Sequence, residues 1–446
     1  MPGPASGGYT PAHLLHVDAS RWPGVALVPD NRIVRYQASA AESRFAAACA
    51  TAGISLDPEA PGGADLTVEN EELFLRLADS GWLGLAEGYM AGEWRSRDLV
   101  TSLAGLLECG FAPRGRFRAG APRSVVSGGY AGGELPGDLV RLFSGDGMSA
   151  FGARFSSGVP TTVRTSVRSF VRGAGRGSEP SSHFVDVTTL APPVAVERAD
   201  LGPAQQRAAE ALLDAARVRA RTDLVEFPCG GGTMALAAAR RGATVDCLTA
   251  DPELAGTVRE LLDRGRDGGR VHVTVTDTPI PTHLDWSGRY DALVSVEKIE
   301  VLGSSGRLDY LRAVEKMLAP GGYVALQSVV STDGMRRAGR DALVALRAYI
   351  WPALEHITTE DLHRAVDRST DLRIIAEAHF ASHYETTLRL QREVFAANER
   401  SAAAAGFDIV FRRLWDYQLA LMEAMFRLGW LDAVQITATS RRPLRR

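Results

Sequence analysis

Cysteine is scarce in this chain, and its spacing excludes two common roles. The 446 residues contain four cysteines, Cys49, Cys109, Cys229 and Cys247. No pair has the Cys-x-x-Cys spacing of a zinc or redox motif, and four scattered thiols do not make a disulfide framework. The sequence therefore predicts reduced thiols, no metal site and a cytoplasmic location.

Long apolar runs and a strong charge of one sign are also missing. No run is long enough to span a bilayer, and the N-terminal stretch MPGPASGGYTPAHLL lacks the basic and apolar segments of a secretion signal. The formal net charge is only -3 at pH 7, so the chain has no overall basic field for nucleic acid. Hydrophobic residues make up 45% of the chain and charged residues 23%, which is typical of a soluble globular protein.

Composition and apolar spacing divide the chain into four predicted regions. These are a partly ordered leader (1–35), a small helical domain (36–111), a linker rich in Gly, Ser and Arg (112–182) and an α/β domain (183–446). In the helical domain, one helix is expected to break at Gly81 and resume. Within the linker, one short helix is predicted over 137–143.

Strands and helices alternate in the last region, which predicts a parallel, doubly wound sheet. The strand TDLVEFPC runs into a turn that contains Gly230, Gly231 and Gly232. This is the position at which such sheets bind a ligand, because glycines admit close approach and the next helix offers free N–H groups. Alternatively, a tight strand-to-helix turn without a ligand has the same sequence.

Two further segments favour a methyltransferase over an NAD-binding domain. The segment CLTADPEL places Thr249 and Asp251 after the second strand, where side chains reach a ribose. Asp251 is equally suited to cap the helix that begins at Pro252. The segment LAPGGYVAL is typical of the entry to the fifth strand of methyltransferases, whereas the GxGxxG pattern of NAD-binding domains is absent.

Four segments in the same order resemble one family, the cyclopropane-fatty-acyl-phospholipid synthases and mycolic-acid methyltransferases. The segments are GWLGLAEGYMAGEW (81–94), YDALVSVEKIEVLG (290–303), HYETTLRLQREVF (383–395) and FRRLWDYQLALMEAMFRLGWLDAVQ (411–435). Within that family, the chain is most similar to the actinobacterial branch that makes tuberculostearic (10-methyl) acids, as a diverged member.

The resemblance implies a fold, a cofactor and a reaction. The implied fold is a class I S-adenosylmethionine methyltransferase with a seven-stranded, mostly parallel sheet and a small N-terminal helical domain. The reaction adds a methyl group to the double bond of an unsaturated phospholipid acyl chain, giving a cyclopropane or a methyl or methylene branch. The residues implied to bind the cofactor are Cys229, Gly230, Gly232, Thr249 and Asp251.

By the same resemblance, Glu300 and Tyr384 match catalytic positions. The chemistry needs an apolar acyl tunnel, a wall that tolerates positive charge and a proton acceptor, and a glutamate and a tyrosine suit the last two. Alternatively, Glu300 only caps the helix that follows it. Tyr384 is alternatively an ordinary half-buried aromatic residue with His383 as its surface neighbour.

Partners follow from the resemblance as expectations. They are the acyl chains of membrane phospholipids, reached at the inner membrane surface, a flavin-dependent reductase, and a second identical or homologous subunit; nucleic acid is not expected. The candidates for a basic membrane contact are the linker residues Arg114, Arg116, Arg118 and Arg123.

Departures from the family pattern cluster at the cofactor site. Pro228 stands where the family has its first glycine, and proline lacks the N–H donor of that position. The stretch SSHFVDVTTLAPPVAVER is matched to the family's upstream cofactor segments, with Leu190 and Ala191 in place of a Tyr-Ser pair. These losses favour an alternative function, a catalytically degenerate paralogue that acts as a binding or regulatory subunit, whereas the retained Glu300 and Tyr384 favour the enzyme.

Overall fold

The computed structural model describes residues 8–113, 133–177, 179–263, 268–280 and 286–441, so Arg114, Arg116, Arg118 and Arg123 lie outside the described residues. These residues form two compact units. The helical unit takes its residues from Met1–Ala131, Gly334–Pro352 and Glu399–Trp430. The sheet unit takes its residues from Gly132–Asp333, Ala353–Asn398 and Leu431–Arg446.

The strands in chain order are β1 (Gly8–Tyr9), β2 (Val28–Pro29), β3 (Leu66–Val68), β4 (Trp94–Ser96), β5 (Pro160–Arg168), β6 (Ser182–Leu190), β7 (Asp223–Glu226), β8 (Thr244–Thr249), β9 (Val271–Val275), β10 (Tyr290–Val296), β11 (Leu318–Ser331), β12 (Leu372–His379) and β13 (Leu431–Ser440).

The helices in chain order are α1 (Pro23–Ala26), α2 (Arg32–Thr51), α3 (Glu72–Ser80), α4 (Trp82–Ala91), α5 (Leu99–Glu108), α6 (Gly137–Phe143), α7 (Leu201–Ala215), α8 (Thr233–Arg240), α9 (Pro252–Asp263), α10 (Gly303–Met317), α11 (Arg337–Ala342), α12 (Val344–Tyr349), α13 (Thr359–Ser369), α14 (Ala381–Ala397), α15 (Glu399–Ala404) and α16 (Ile409–Arg427). Among the described helices, none is both long and apolar enough to cross a membrane.

One large sheet organises the sheet unit, with strand order β5-β6-β12-β13-β11-β10-β7-β8-β9. The seven strands from β12 to β9 have the order of a class I methyltransferase, and β13 runs antiparallel between β11 and β12. Helices cover both faces of the parallel strands, so β7 and β8 consist largely of buried residues. The fold class predicted from the sequence is confirmed, but β5 and β6 extend the sheet to nine strands where seven were expected.

Part of the stretch predicted to be a linker is folded. The short helix α6 has the bounds that the sequence predicted, and β5 pairs with β6 along its whole length. Between α6 and β5, the side chains of Phe151, Ala153 and Phe155 are buried. Residues 137–168 therefore belong to the sheet unit and do not form the linker that composition suggested.

The helical unit contains residues that the sequence analysis assigned to a leader and to the α/β domain. Trp22 is fully buried, and its indole N–H donates to Asp408, which caps α16. The buried guanidinium of Arg76 donates to the carbonyl groups of Gly24 and Val25. The helical unit therefore includes both former leader residues and α16. The predicted break between α3 and α4 is confirmed at Gly81, whose φ of 63° suits glycine.

A buried network fixes the end of β12, from which α14 departs. Glu377 accepts hydrogen bonds from His363 and from His379, the latter at 3.1 Å, and His379 also contacts Asp432 on β13 at 2.7 Å. Burial opposes the charge on His379, but its bonds to Asp432 and Glu377 outweigh that effect and raise its pKa to about 9. Burial likewise opposes the charge on Glu377, but the two histidines lower its pKa to about 2.

The network predicts how the free energy of unfolding depends on pH. Because the pKa of His379 is higher in the folded chain than the ordinary 6.5, its contribution is full below pH 6.5 and is lost as the pH rises through about 9. Denaturant unfolding should show a loss on the order of 2 kcal/mol over that window. The variant His379→Gln should lack this loss, whereas the exposed His272→Gln should retain it; equal pH profiles for both variants would contradict the assignment.

Candidate active site

The glycine turn joins β7 to α8 at the carboxyl edge of the parallel strands. The carboxylate of Glu226, the last residue of β7, accepts a hydrogen bond from the Gly230 N–H at 2.8 Å. Gly231 and Gly232 have φ values of 86° and 109°, which side-chain-bearing residues rarely adopt. The peptide bond between Phe227 and Pro228 is cis. The turn therefore has the backbone that the sequence predicted for a ligand-binding loop, apart from the proline.

Residues 144–155 cover this turn, although composition predicted a linker there. A Cβ atom on Gly231 would lie 2.0 Å from the carbonyl oxygen of Met148, so only glycine permits this approach. Asp146 accepts hydrogen bonds from the hydroxyl groups of Ser149 and Thr233, both at 2.7 Å. Thr233 is the first residue of α8, where an acidic group is favoured by the helix dipole. This covering segment was missed because nothing in its sequence indicates its tertiary contacts.

The end of β8 is occupied by a carboxylate from a distant part of the chain. Thr249 is fully buried, and its hydroxyl group donates to the carboxylate of Glu134. The same carboxylate accepts from the Ala250 N–H at 3.1 Å and lies 3.6 Å from the ammonium group of Lys298. β8 itself ends at Thr249 and has no acid there; Glu134 supplies one, and it was missed because it lies in a glycine-rich stretch.

Lys298 and Asp251 complete the surroundings of Glu134. Burial lowers the pKa of Lys298, whereas the charge of Glu134 opposes that change. Asp251 accepts hydrogen bonds from the Glu253 N–H at 2.8 Å and the Leu254 N–H at 3.3 Å, so it caps α9 as one interpretation of the sequence predicted. The buried carboxylate beside Thr249 is therefore that of Glu134. The Asp251 carboxylate instead caps the start of α9.

The side chain of Cys229 is buried. Its N–H donates to Leu248 at 2.9 Å, and its thiol lies with the Cys247 thiol and the Glu226 carboxylate. Within the described residues, these three form one group whose possible ligand atoms lie within 4.8 Å of one another. A hydrogen bond with Cys229, together with burial, raises the pKa of Cys247 well above its usual range, and burial raises that of Glu226 to about 7. The group is accordingly a buried set of side chains in which Glu226 accepts hydrogen bonds from the Gly230 N–H and the Cys247 thiol.

Two carboxylates meet at the carboxyl edge after β10. Glu300 accepts from the Val329 N–H at 2.9 Å and from the Ser328 hydroxyl group at 3.2 Å. Burial, followed by the charge of Glu297, raises the pKa of Glu300 to about 8. Glu300 therefore holds its proton at neutral pH. It does not cap α10, which begins at Gly303 without a side-chain cap.

Glu297 is the other carboxylate, and the sequence analysis did not select it. It has a φ of 51°, in the left-handed region that is strained for a non-glycine residue. Its carboxylate accepts from the Gln327 amide at 3.2 Å, the Gly152 N–H at 3.3 Å and the Tyr384 hydroxyl group. Burial raises the pKa of Glu297, and these three donors oppose the rise. The available signal was its place directly after Ser295 and Val296, within one of the four segments that resemble the family.

Tyr384 lies on the first turn of α14 and is buried against the covering segment. A Cβ atom on Gly152 would lie 2.1 Å from its ring, so glycine is required there too. Burial, followed by the charge of Glu297, raises the pKa of Tyr384 well above its usual range, so the hydroxyl group is a donor. The structure thus brings Tyr384 into the same cluster as Glu300, because Glu297 accepts a hydrogen bond from Tyr384 and interacts electrostatically with Glu300.

His383 is not a surface neighbour of Tyr384, as one interpretation held; it is fully buried. Its Nδ1 atom accepts from the Phe155 N–H at 2.9 Å, and its Nε2 atom donates to the carbonyl group of Ala191 at 3.0 Å. Burial lowers the pKa of His383, which keeps the ring neutral in this arrangement. His383 therefore ties α14 to the covering segment.

The match of residues 181–198 to the family's upstream cofactor segments is wrong. Ser182–Leu190 is β6, which lies next to β12, on the far side of β13, β11 and β10 from the glycine turn. Leu190 and Ala191 therefore do not take the place of a Tyr-Ser pair at that turn. The residues on the turn come from 144–155, which precede β5 in the chain.

The sequence of this chain is similar to one family of known proteins. A family model described as mycolic acid cyclopropane synthetase matches residues 194–436. Tuberculostearic acid methyltransferase UfaA1 of Mycobacterium tuberculosis is 30% identical over 94% of this chain and 96% of its own. The cyclopropane-fatty-acyl-phospholipid synthase of Escherichia coli is 22% identical over 86% of this chain and 90% of its own. The solved structure of cyclopropane synthase MmaA2 from Mycobacterium tuberculosis has a TM-score of 0.47 and 21% identity, covering 54% of this chain and 85% of that one.

Proposed function

Because this chain belongs to the mycolic acid cyclopropane synthetase family, we propose that it is an S-adenosylmethionine-dependent methyltransferase that acts on the double bond of unsaturated fatty acyl chains. UfaA1, which is related over nearly the whole chain, is named as a tuberculostearic acid methyltransferase, and this supports a lipid acyl substrate. The observation that carries the proposal is the buried cluster of Glu297, Glu300 and Tyr384 at the carboxyl edge of the sheet.

The side chains around the glycine turn fit S-adenosylmethionine by their chemistry. The cofactor carries positive charge and a ribose diol, and the turn and the end of β8 provide the carboxylates of Glu134 and Asp146. Glu134 would accept hydrogen bonds from the ribose, taking the role that an acid on β8 itself would otherwise have. Gly230 and Gly232 would let the backbone approach the cofactor closely.

Residues of this chain would then accept the proton that the acyl chain loses. When bound, S-adenosylmethionine supplies an electrophilic methyl group. Addition of that group to an alkene leaves positive charge and a proton to be lost, so the site needs a nearby anion and an acceptor. Glu297, whose carboxylate accepts hydrogen bonds from three donors that oppose the rise of its pKa on burial, serves as that acceptor. The Tyr384 hydroxyl group orients the Glu297 carboxylate by donating a hydrogen bond to it. Glu300 provides a neutral carboxyl group in the same cluster.

The test of the proposal is calorimetric titration of the full chain with S-adenosylmethionine, followed by expression in a host rich in oleoyl phospholipid. We expect saturable binding and fatty acids heavier by one methylene unit. Folded protein that gives no binding heat at millimolar cofactor would overturn the enzyme function.

The carboxylate of Glu134 provides a separate prediction about cofactor affinity. Glu134→Gln removes a buried charged acceptor while keeping its shape, and should raise the Kd for S-adenosylmethionine by more than about tenfold, because hydrogen bonds to charged groups contribute about 1.5–3 kcal/mol and a tenfold change corresponds to about 1.4 kcal/mol. Glu253→Gln, an exposed glutamate on the first turn of α9, is the matched control and should not change the Kd. Equal Kd values for both variants would remove Glu134 from the cofactor site.

A catalytically silent binding subunit is the second candidate function, favoured by the covering segment. The Met148 carbonyl group packs directly on Gly231, and Asp146 occupies the start of α8. Both contacts fill space that a bound cofactor would use in an open turn. The titration above separates the two functions, since a silent subunit with a filled turn would bind no cofactor.

A further inference from the structure

An arginine-lined cavity lies at the amino edge of the sheet, opposite the candidate active site. Its volume is about 930 Å³, and it is bounded by the turn that joins β5 to β6 and the turn that joins α13 to β12. Both β6 and β12 begin here, whereas the catalytic cluster follows the carboxyl end of β10. An eight-residue strand such as β12 spans roughly 25 Å, so the two sites are a strand's length apart.

Positive charge dominates the lining of this cavity. Its charged residues are Arg168, Arg172, Arg176, Arg368, Arg441, Asp367 and Asp371. Both acids are engaged within the protein: Asp367 accepts from the Phe170 N–H at 2.8 Å, and Asp371 pairs with Arg441 at 3.1 Å. The cavity therefore carries an excess of arginine over available carboxylate.

Four of these arginines have no acidic partner in the part of the chain that the structure describes. They are Arg168, Arg172, Arg176 and Arg368, which come from the end of β5 and from both turns. The nearby acid Glu179 does not neutralise them, because it pairs with Arg373 and accepts from the Ser169 hydroxyl group at 2.8 Å. Like charges gathered in one concave site repel one another and raise the local concentration of anions.

The turn that brings these arginines together is held in place. The Ser169 N–H donates to Ser181 at 2.9 Å, which closes the base of the turn, and the Gly175 N–H donates to Glu179 at 2.9 Å within it. The guanidinium groups of Arg168 and Arg364 lie 5.7 and 4.8 Å from the centroid of the Phe170 ring. The arginines are therefore carried on a tethered loop and not on a free tail.

We propose that this cavity is a binding site for a phosphate group, presented either by a small phosphorylated molecule or by a lipid headgroup. The planar guanidinium fork matches phosphate oxygens in pairs, and several arginines that line one concave site suit a phosphate group with one negative charge, as in a phosphodiester headgroup, or with about two, as in a phosphate monoester. The whole β5–β6 turn precedes residue 194, where the family match begins, and the cavity lies at the opposite edge of the sheet from the cluster proposed for methyl transfer.

The experiment measures phosphate binding by the full chain at low ionic strength. Calorimetric titration with inorganic phosphate should show saturable binding, and the double variant Arg172→Gln/Arg368→Gln should weaken it at least tenfold. The control is Arg198→Gln/Arg219→Gln, which removes the same charge from exposed positions outside the cavity and should leave the affinity unchanged. Thermal melting of each variant establishes that it is folded.

A second arm identifies the source of the phosphate group. Flotation with phosphatidylglycerol vesicles that depends on Arg172 and Arg368, and is absent with phosphatidylcholine vesicles, would assign the site to a lipid headgroup. Binding of inorganic phosphate without vesicle binding would assign it to a small phosphorylated molecule. If neither binding event responds to the cavity variant more than to the control, the proposal is overturned, whatever the outcome for methyl transfer.

Discussion

Glu297→Gln is expected to reduce methyl-transfer turnover about 100-fold or more while leaving the Kd for S-adenosylmethionine within about threefold. The amide keeps the shape of the side chain but cannot accept a proton, and it reverses one of the hydrogen bonds now made by Gln327, Gly152 and Tyr384. Single-turnover product formation, measured with cofactor affinity on the same preparation, distinguishes lost chemistry from lost binding.

Two companion variants sharpen this prediction. Glu300→Gln should have a smaller effect on turnover than Glu297→Gln, because Glu300, with a pKa of about 8, is already neutral at pH 7. Glu393→Gln, on the exposed side of α14, is the surface control and should leave methyl-transfer turnover unchanged. A larger loss for Glu300→Gln than for Glu297→Gln would transfer the role of proton acceptor to Glu300.

Gly231→Ala should destabilise the sheet unit and weaken cofactor binding at least tenfold. Its φ of 86° is strained for alanine, which costs roughly 1–3 kcal/mol. In addition, the new Cβ atom would lie 2.0 Å from the Met148 carbonyl oxygen, so the covering segment must move off the turn. Thermal melting and calorimetric titration of the variant measure the two effects.

The neighbouring helix α9 offers a matched control for this substitution. Gly256 lies in α9 at an ordinary helical φ, and a Cβ atom there would meet nothing within 4 Å. Gly256→Ala should therefore raise the melting temperature slightly, since alanine favours a helix over glycine by up to about 1 kcal/mol. If the two variants behave alike, the packing of Met148 on Gly231 is not important for the site.

The sheet was predictable because its pattern is local and repeated. Each βα unit is recognisable in the sequence as an apolar strand, a glycine turn and an amphipathic helix. The order of these units implies the parallel sheet. The same local logic located α6, the break at Gly81 and the turn at Gly230–Gly232. It did not reveal that β5 pairs with β6, because a glycine-rich composition around β5 resembles a linker and pairing is a non-local event.

The candidate site was predictable only in part, for the same reason. Tyr384 and Glu300 were found because they lie in segments that resemble a family, and the structure brings both to one cluster. Glu134, Asp146 and Glu297 were missed, although each accepts hydrogen bonds at the site. The first two lie in the stretch where composition predicted a linker, so their function depends on contacts with β8 and α8 that lie about a hundred residues away.

By itself, the sequence determined the fold class of the α/β region, the family and the position of the glycine turn, since each depends on residues that are close together in the chain. Tertiary structure alone decided which carboxylates face that turn, which residues cover it and that Glu297 bonds to Tyr384 and raises the pKa of Glu300. It also gathered the arginines of two separate turns into one cavity. The physical reason is that burial and pairing set the charge and role of a side chain, and both arise only when distant segments pack together.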